Sequence, residues 1–223
     1  MNTTLILGAS RGIGLELVRQ SVGAGERVIA TARSDEGLQA LQAMGAQALR
    51  LDVANPASVS GLAWLLDGEK IDTAWLVAGA MSARTRATEP PTQADFDRVM
   101  HTNVLGAMQV IPQVAPLVEA ALGRMVFLSS IMGQIGGVNG SGAWLYRVSK
   151  AALNMAVASA QLEYPQAILA CMHPGWVQTD MGGTGAPVAP GDSVAGMRRV
   201  VAALTPADRG AFLQYDGQRF DQW

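Results

Sequence analysis

The sequence predicts a single-domain α/β fold in which helices cover both faces of a doubly wound, mostly parallel sheet of about seven strands. Two observations predict this fold class. Segments with strand-like and helix-like apolar patterns alternate along the whole 223-residue chain, and the first apolar segment runs directly into a glycine-rich turn. Because a strand, a helix and a following strand form a unit with parallel strands, this alternation builds a parallel sheet.

Each element is predicted from its own apolar pattern and from the residues that end it. Glycines close the helices at 13–22 and 35–44, and Pro112 and Pro116 are expected to bend a long helix at 92–122. The other helices are predicted at 56–66, 144–163 and 192–203, and the strands at 5–7, 27–31, 46–51, 71–78, 124–129, 167–172 and 211–215. No linker or repeat interrupts this order, so we expect one domain over residues 1–223.

The turn after the first strand has the glycine pattern Gly-x-x-x-Gly-x-Gly. Gly8 can adopt backbone angles closed to other residues, Gly12 has no Cβ to block a phosphate, and Gly14 lets the next helix lie close to the sheet. That helix then offers the free N–H groups of its first turn to a pyrophosphate. The predicted dinucleotide site consists of Gly8, Ser10, Arg11, Gly12, Ile13 and Gly14.

The end of the second strand predicts which nicotinamide cofactor is preferred. An acidic residue about 20 positions after the glycines suits the ribose of NAD, whereas an Arg nearby suits the 2′-phosphate of NADP. Arg33 stands at this position, no carboxylate does, and Arg11 is expected to approach the same phosphate. The pattern therefore favours NADP(H) over NAD(H). The alternative for Arg33 is an ordinary solvated surface arginine.

Composition and charge exclude several classes of protein. The chain is 49% hydrophobic and 15% charged with a formal net charge of −2, so it has no basic face for nucleic acid. Its one cysteine, Cys171, excludes an internal disulfide and suits a reducing compartment. No signal-peptide pattern precedes the first strand, and no apolar run reaches membrane-spanning length. We therefore expect a cytoplasmic protein that binds neither nucleic acid nor membranes.

Four polar residues in the middle of the chain are suited to acid/base chemistry. Tyr146 and Lys150 lie four residues apart, so on a helix both project from one face, although such a pair can also be mere helix neighbours. A free tyrosine has a pKa near ~10, and an adjacent ammonium would favour its phenolate and make proton exchange with a substrate oxygen feasible. Ser130 follows the strand at 124–129 and can donate to the same oxygen. Asn103, in apolar company on the long helix, needs a buried partner.

Together these motifs resemble the short-chain dehydrogenase/reductase family, whose members have a Rossmann fold. The glycine turn resembles the family's opening, and its Asn-Ser-Tyr-Lys tetrad is matched, in the right elements and order, by Asn103, Ser130, Tyr146 and Lys150. The segments 146–154, 173–183 and 215–217 are similar to the C-factor and sniffer-like carbonyl reductase branch. Two sites depart from the family pattern: Leu7 replaces a Thr, and Leu76-Val77 replaces Asn-Asn.

The resemblance implies a role for each matched residue. Tyr146 would be the acid/base, and Ser130 would orient the substrate carbonyl. Lys150 would bind the nicotinamide ribose and lower the pKa of the tyrosine, and Asn103 would hold a water that relays protons to Lys150. The further cofactor-binding residues that it implies are Asp52, Val53, Ala78, Gly79, Pro174, Gly175, Val177 and Thr179. For Asp52, a helix N-cap or a simple turn is an equally good interpretation.

These features favour an NADP(H)-dependent oxidoreductase that moves a hydride between the nicotinamide and a carbonyl or secondary alcohol of a small molecule. The alternative is a cofactor-binding sensor or developmental-signalling protein without significant catalysis. Ser130 has no evident His and carboxylate partners, so a hydrolase fits poorly. His101, His173 and Cys171 lack the clustered spacing of a metal site, and we expect no metal.

The substrate pocket is predicted to be an apolar cleft with few charges. Its expected lining is Ile131, Met132, Trp144, Trp176 and Met181. Such a lining favours flat or aliphatic carbonyls over phosphorylated or carboxylated ones. The helix at 144–163 has a second apolar face, formed by Ala151, Ala152, Met155, Ala156 and Ala160. This face either packs against a second copy to form a homodimer or is buried against its own sheet.

Overall fold

A computed structural model describes residues 1–221 and 223 of the chain. Within these residues, one parallel sheet consists of β1 (Thr3–Leu7), β2 (Arg27–Ala32), β3 (Gln47–Arg50), β4 (Thr73–Leu76), β5 (Arg124–Leu128), β6 (Ile168–His173) and β7 (Phe212–Gln214). The strand order is β3-β2-β1-β4-β5-β6-β7. The order reverses between β1 and β4, which is where open α/β sheets bind ligands. The predicted doubly wound fold is confirmed.

The helices connect these strands and lie on both faces of the sheet. They are α1 (Gly12–Gly23), α2 (Asp35–Ala43), α3 (Pro56–Ser60), α4 (Leu62–Leu65), α5 (Gln93–Met100), α6 (Gly106–Ala120), α7 (Trp144–Gln161) and α8 (Pro190–Ala203). A π-helical turn, His101–Leu105, joins α5 to α6, and 3-10 turns lie at Ile131–Gly133 and Pro206–Asp208. In the described residues, no helix is both long and apolar enough to cross a membrane.

Two apolar clusters cover the two faces of the sheet, because side chains alternate along each strand. Leu5 and Leu7 of β1 pack on one face with the apolar sides of α6 and α7. Ile6 packs on the other face with α1, α2 and α8. β1 is therefore buried on both sides, which explains why Leu5, Ile6 and Leu7 are all apolar instead of alternating with polar residues.

Two predicted helices differ from those observed. The helix expected at 56–66 is two short helices, α3 and α4, that meet at Gly61, a residue of low helix propensity. The long helix expected at 92–122 is distorted at its π turn, while Pro112 and Pro116 both lie inside α6. The π turn contains Asn103, whose contacts are part of the site described next.

Candidate active site

The glycine turn brings backbone atoms to positions where a side chain would not fit. Gly8 has a φ of +92°, and a Cβ built on it would lie 2.8 Å from Ala78. A Cβ built on Gly14 would lie 2.2 Å from the carbonyl oxygen of Gly8. α1 begins with no side-chain cap and no acidic residue in its first turn. Its first N–H groups and the positive end of its dipole are therefore suited to an anion, and the turn fits the pyrophosphate of a dinucleotide.

Arg33 follows β2 directly and is exposed. Within the described residues, its guanidinium has no hydrogen-bond or ion-pair partner. A second cation lies beside it: Arg50, at the end of the neighbouring strand β3, donates to the carbonyl oxygen of Arg33 at 2.5 Å and pairs with Asp35. The place of Arg50 beside Arg33 could not be predicted from the sequence, because only the sheet order brings the ends of β2 and β3 together.

Arg11 lies in the glycine turn, directly before α1. Its Nη1 pairs with Asp180 Oδ2 at 2.9 Å, and both side chains are exposed. The guanidinium is therefore held by the segment that follows β6. Its approach to the 2′-phosphate beside Arg33 stays a prediction, which would require this exposed ion pair to open.

Asp52 forms a local turn after β3 and is not a helix N-cap. Its Oδ1 accepts a hydrogen bond from the N–H of Ala54 at 3.0 Å, which makes a local turn. The N-cap of α3 is Asn55, which accepts from the N–H of Ala57. The next residue, Val53, lies under the long helix, where a Cβ built on Gly106 would lie 2.6 Å from its carbonyl oxygen. A contact of Asp52 or Val53 with adenine stays a prediction.

Ala78 and Gly79 lie at the centre of the crevice, where β4 ends. The N–H groups of Val77 and Ala78 both donate to the carbonyl oxygen of Leu7, so the ladder stops before residue 78. A Cβ built on Gly79 would lie 3.5 Å from Asn103 Oδ1 and 3.6 Å from Lys150 Nζ. Gly79 thus lies between two of the four residues that were predicted to form the catalytic group.

Asn103 is buried in the π turn and anchors two elements. Its Oδ1 accepts from the N–H of Ala80 at 2.7 Å, and its Nδ2 donates to the carbonyl oxygen of Ala80 at 2.8 Å and to Ser149 Oγ at 2.9 Å. Ser149 Oγ donates in turn to the carbonyl oxygen of Tyr146 at 2.8 Å. The side chain of Asn103 therefore ties the segment after β4 to α7. Its proposed role in holding a water stays a prediction.

Ser130, Tyr146 and Lys150 come together where β5 ends and α7 begins, and all three are buried. Ser130 Oγ accepts from the N–H of Met132 at 3.1 Å and shares a hydrogen bond with the Tyr146 hydroxyl. Lys150 Nζ donates to the carbonyl oxygen of Leu128 at 2.7 Å and lies 5.6 Å from the centroid of the Tyr146 ring. The structure therefore brings these three side chains into one site.

Two contacts that the sequence analysis missed hold α7 against the end of β5. Ser129 Oγ donates to Asn154 Oδ1 at 2.5 Å, and both residues are buried. A Cβ built on Gly133 would lie 2.8 Å from the backbone of Lys150, so this turn packs directly on the helix. Asn154 could have been found from the sequence. It lies four residues after Lys150, just as Lys150 lies four residues after Tyr146, so a polar residue recurs on the same helix face.

Burial shifts the titratable groups of the site toward their neutral forms. It raises the pKa of Tyr146 to about 12, against the opposing effect of the Ser130 hydrogen bond. It lowers the pKa of Lys150 to about 8 and the pKa of His173 to about 4. The expected lowering of the Tyr146 pKa is therefore not found, because desolvation of the phenolate is the larger effect. Tyr146 keeps its proton at neutral pH, which suits it to donate that proton.

A cavity of about 470 Å³ opens in front of Ser130 and Tyr146. Of the residues expected around the substrate, those that line it are Ile131, Met132, Trp176 and Met181. Trp144 does not line it, since its indole N–H donates to the carbonyl oxygen of Glu89 at 3.2 Å. Two charged residues that the sequence analysis did not place here, Arg84 and Arg147, also line the cavity. The cavity is therefore lined mostly by uncharged residues and has two arginines in its wall.

The segment after β6 joins the cavity to the glycine turn. Its predicted cofactor residues Pro174, Gly175, Val177 and Thr179 all line the cavity, as does Ile13 from the glycine turn. Thr179 Oγ1 accepts from the N–H of Gly182 at 3.2 Å, and its methyl group would lie 3.3 Å from a Cβ built on Gly12. The cavity and the predicted pyrophosphate site are therefore parts of one crevice.

Comparison with known proteins agrees with this arrangement. The family model described as short chain dehydrogenase matches residues 2–187. The chain belongs to the short-chain dehydrogenase family. It is 43% identical over 127 residues to C-signal of Myxococcus xanthus, which covers 56% of this chain and 76% of that protein. Two solved structures are also similar. Carbonyl reductase Sniffer of D. melanogaster has a TM-score of 0.90 and 28% identity, with 100% of both chains covered.

The second similar structure is an NADPH-bound carbonyl reductase from chicken fatty liver. Its TM-score is 0.88 and its sequence identity 30%, and the match covers 100% of this chain and 99% of that one. This short-chain dehydrogenase is therefore an oxidoreductase that is carbonyl reductase-like in structure.

The structure accounts for both departures of this short-chain dehydrogenase from the family pattern. Where the family has a Thr, Leu7 is buried in the core, and the N–H of Gly8 donates to the hydroxyl of Thr31 at 3.0 Å. The Thr31 hydroxyl of β2 thus takes the place of the hydroxyl of the family's Thr. In place of the two asparagines, Leu76 is buried in one apolar cluster and Val77 packs against the other. Apolar packing therefore braces the end of β4 here.

Proposed function

We propose that this chain reduces the carbonyl group of a small molecule with NADPH, and oxidises the corresponding alcohol in the reverse direction, with Tyr146 as the acid/base. One observation carries the proposal. A buried tyrosine that keeps its proton lies beside Ser130 on the wall of a cavity that is continuous with the glycine turn. A proton donor and a hydride donor can therefore reach the same carbonyl from adjoining parts of one crevice.

The residues of the chain would divide the work between the cofactor and the substrate. The bound nicotinamide supplies the hydride or takes it up. The first turn of α1 and the glycine turn would hold the pyrophosphate, Asp52 and Val53 would border the adenine, and Ala78 and Gly79 would admit the ribose. The segment that contains Pro174, Gly175, Val177 and Thr179 would border the nicotinamide. Every one of these residues is at the carboxyl edge of the sheet.

Ser130 and Tyr146 would act on the substrate oxygen. The Ser130 hydroxyl donates to the carbonyl oxygen and orients it, and the Tyr146 hydroxyl transfers its proton to that oxygen as the carbon accepts the hydride. Lys150, with a pKa of about 8, can gain or lose a proton near neutral pH and so help to restore the tyrosine proton. Asn103 would act as a positioning residue, because its amide fixes α7 and the segment after β4.

A preference for NADPH over NADH is supported by two cations at the end of β2 and β3. The Arg33 guanidinium is free to meet a 2′-phosphate, and Arg50 adds positive charge beside it. The similar carbonyl reductase from chicken fatty liver is described as NADPH-bound. Arg11 and Arg50 are each paired with a carboxylate, Asp180 and Asp35, so a direct bond from either one to the phosphate stays a prediction.

A screen of cofactor oxidation tests the proposal. Aldehydes, ketones, quinones and diketones are offered to the full chain with NADPH and with NADH, and cofactor binding is measured beside it by calorimetry. We expect NADPH to bind and to be oxidised with at least one class of carbonyl. A cofactor-binding sensor would bind NADPH without turnover of any class, and that result would refute the enzymatic proposal.

We also propose that the chain forms a homodimer through the outer face of α7. Leu153 and Val157 pack toward the sheet, so the face that contains Met155 is not the one buried against it. Met155 is 67% exposed, and Met108 and Val148 are also exposed large apolar side chains. Light scattering of the wild type and of Met155→Lys tests this. We expect a dimer that the substitution weakens, and a wild-type monomer at micromolar concentration would refute it.

A further inference from the structure

The cavity in front of Ser130 and Tyr146 has charge of one sign only. Its lining includes Arg84 and Arg147 and contains no Asp or Glu. In the part of the chain that the structure describes, neither arginine is in a salt bridge. Seven other arginines of these residues are in salt bridges. An anion that entered the cavity would therefore meet two cations without a competing carboxylate.

Local contacts join the two segments that carry these arginines. Arg147 lies in the first turn of α7, next to Tyr146, and its Nε donates to the carbonyl oxygen of Gly142 at 3.0 Å. Arg84 belongs to the irregular segment between β4 and α5. That segment is fixed to the start of α7 because the N–H of Ala143 donates to the carbonyl oxygen of Thr85 at 2.9 Å. The neighbours of Arg84 and Arg147 are thus hydrogen-bonded to each other.

The rest of the cavity strengthens the attraction of these two cations for an anion. Ile131, Met132, Trp176 and Met181 form apolar walls, and the pKa of about 4 keeps the buried His173 uncharged at neutral pH. Charges interact more strongly beside such walls than in open water. A guanidinium also offers a planar fork of donors that matches a carboxylate in two parallel hydrogen bonds.

We propose that Arg84 and Arg147 bind a carboxylate of the substrate, so that the enzyme prefers carbonyl compounds with an acid group remote from the reacting carbon. The inference rests on the proposed function and reverses the expectation of a preference for uncharged carbonyls. The reaction itself is unchanged. The carbonyl carbon accepts a hydride from the reduced nicotinamide, which is thereby oxidised, its oxygen accepts the proton of Tyr146, and the carboxylate serves only as an anchor.

The test compares acids with their own methyl esters. Succinic, glutaric and adipic semialdehydes and terephthalaldehydic acid are each assayed beside the methyl ester, with NADPH as the reductant. For the acid that best spans the cavity, we expect wild-type kcat/KM to exceed that of its ester by roughly tenfold, mainly through a lower KM. The preference should weaken at high salt, because Arg84 is exposed and Arg147 is only half-buried.

Substitutions assign the preference to these two residues. The Arg84→Gln/Arg147→Gln double variant should bring the ratio of acid to ester kcat/KM close to one, and Arg84→Gln alone should lower it. Arg84→Lys should keep part of the preference, because the charge remains. Arg86→Gln is the matched control, since Arg86 is an exposed arginine of the same segment that does not line the cavity. It should keep the full wild-type ratio.

Failure of this inference can be distinguished from failure of the proposed function. Equal kcat/KM for every acid and its ester, or a preference that survives in the double variant, overturns the carboxylate site while reduction itself stands. Turnover of neutral ketones in the screen together with no turnover of any acid also overturns it. Absence of all carbonyl reduction with NADPH refutes both proposals.

Discussion

Lys150 holds its ammonium nitrogen 5.6 Å from the centroid of the Tyr146 ring, a distance at which a cation and an aromatic face attract each other. The same nitrogen donates to the carbonyl oxygen of Leu128 at 2.7 Å. Lys150 is therefore positioned by β5 on one side and by the phenol on the other. Burial still dominates the electrostatics of the pair, since the pKa of Lys150 falls to about 8 and that of Tyr146 rises to about 12. The pair consequently favours a protonated tyrosine, which is the form that reduction needs.

Replacing Tyr146 by Phe removes the proposed proton donor and keeps the ring. We expect NADPH affinity to stay close to that of the wild type, and carbonyl reduction to fall by ~10²- to 10⁴-fold, the usual contribution of a general acid. Calorimetry and steady-state kinetics measure the two quantities. Tyr164→Phe is the matched control, because Tyr164 lies beyond the end of α7 and does not line the cavity. If the Tyr146→Phe variant kept more than about a tenth of the rate, the role of Tyr146 would be refuted.

Substitution by alanine is expected to have opposite effects at two glycines of α1. A Cβ on Gly14 would lie 2.2 Å from the carbonyl oxygen of Gly8, whereas a Cβ on Gly23 would meet nothing within 4 Å. We therefore expect Gly14→Ala to displace the glycine turn and to abolish cofactor binding. Gly23→Ala should leave binding unchanged and raise the free energy of unfolding by about 0.5 kcal/mol, because alanine is the better helix former. Calorimetry and urea denaturation measure both effects, and equal behaviour of the two variants would contradict the close packing at Gly14.

The fold was predictable from sequence because its determinants are local. Each buried parallel strand is a short apolar run, and glycines end the first helices. The π turn was not predictable from a local pattern. Asn103 within it pairs with Ala80, 23 residues away in sequence, and a contact of this kind leaves no local signal. Without that contact in view, Pro112 and Pro116 were the only visible causes for a distorted helix, and both are accommodated inside α6.

The candidate site likewise has some features that the sequence predicts and others that it does not. Helical spacing alone brought Tyr146 and Lys150 to one face, and the same spacing argues against Trp144 as a pocket residue. Residues two positions apart do not share a helix face, so Trp144 points away from the cavity that Tyr146 lines. The place of Arg84 in the cavity could not be predicted, because its segment has no periodic pattern. Its position follows only from the hydrogen bond between Ala143 and Thr85.

Stability at acid pH should depend on His173. Burial lowers the pKa of this imidazole from its ordinary value near 6.5 to about 4, with a small opposing effect of Asp216. Between these values the unfolded chain binds a proton that the folded chain does not, so stability is lost as the pH falls from 6.5 to 4. The full loss corresponds to about 3 kcal/mol.

Chemical denaturation of the wild type and of His173→Gln, from near-neutral pH down to about 4.5, isolates this contribution. Glutamine does not titrate, so the variant should lose less stability than the wild type over this range. The exposed His101 provides the control, and we expect His101→Gln to keep the wild-type dependence. Parallel curves for the wild type and His173→Gln would show that the buried imidazole is not responsible.

Preference for NADPH should depend on Arg33. A charge-assisted hydrogen bond from an exposed guanidinium to the 2′-phosphate is expected to favour NADPH by roughly tenfold in kcat/KM. Arg33→Ala should remove most of this preference, and Arg50 should retain a remnant, because it lies beside Arg33 and keeps its charge. Ala32→Asp should shift the enzyme toward NADH, since a carboxylate there opposes the phosphate and accepts from the ribose hydroxyls.

The alternative role for Arg33 is to stack on the adenine ring, which both cofactors carry. In that case Arg33→Ala would weaken NADPH and NADH equally and leave the ratio of their kcat/KM values unchanged. If Arg33 recognises the 2′-phosphate instead, Arg33→Ala lowers kcat/KM for NADPH alone. Arg209→Ala is the matched control, because Arg209 is an exposed arginine that precedes β7 and so lies at the opposite edge of the sheet from the cofactor crevice. Matched kinetics for both cofactors in the wild type and these two variants therefore decide whether Arg33 recognises the 2′-phosphate.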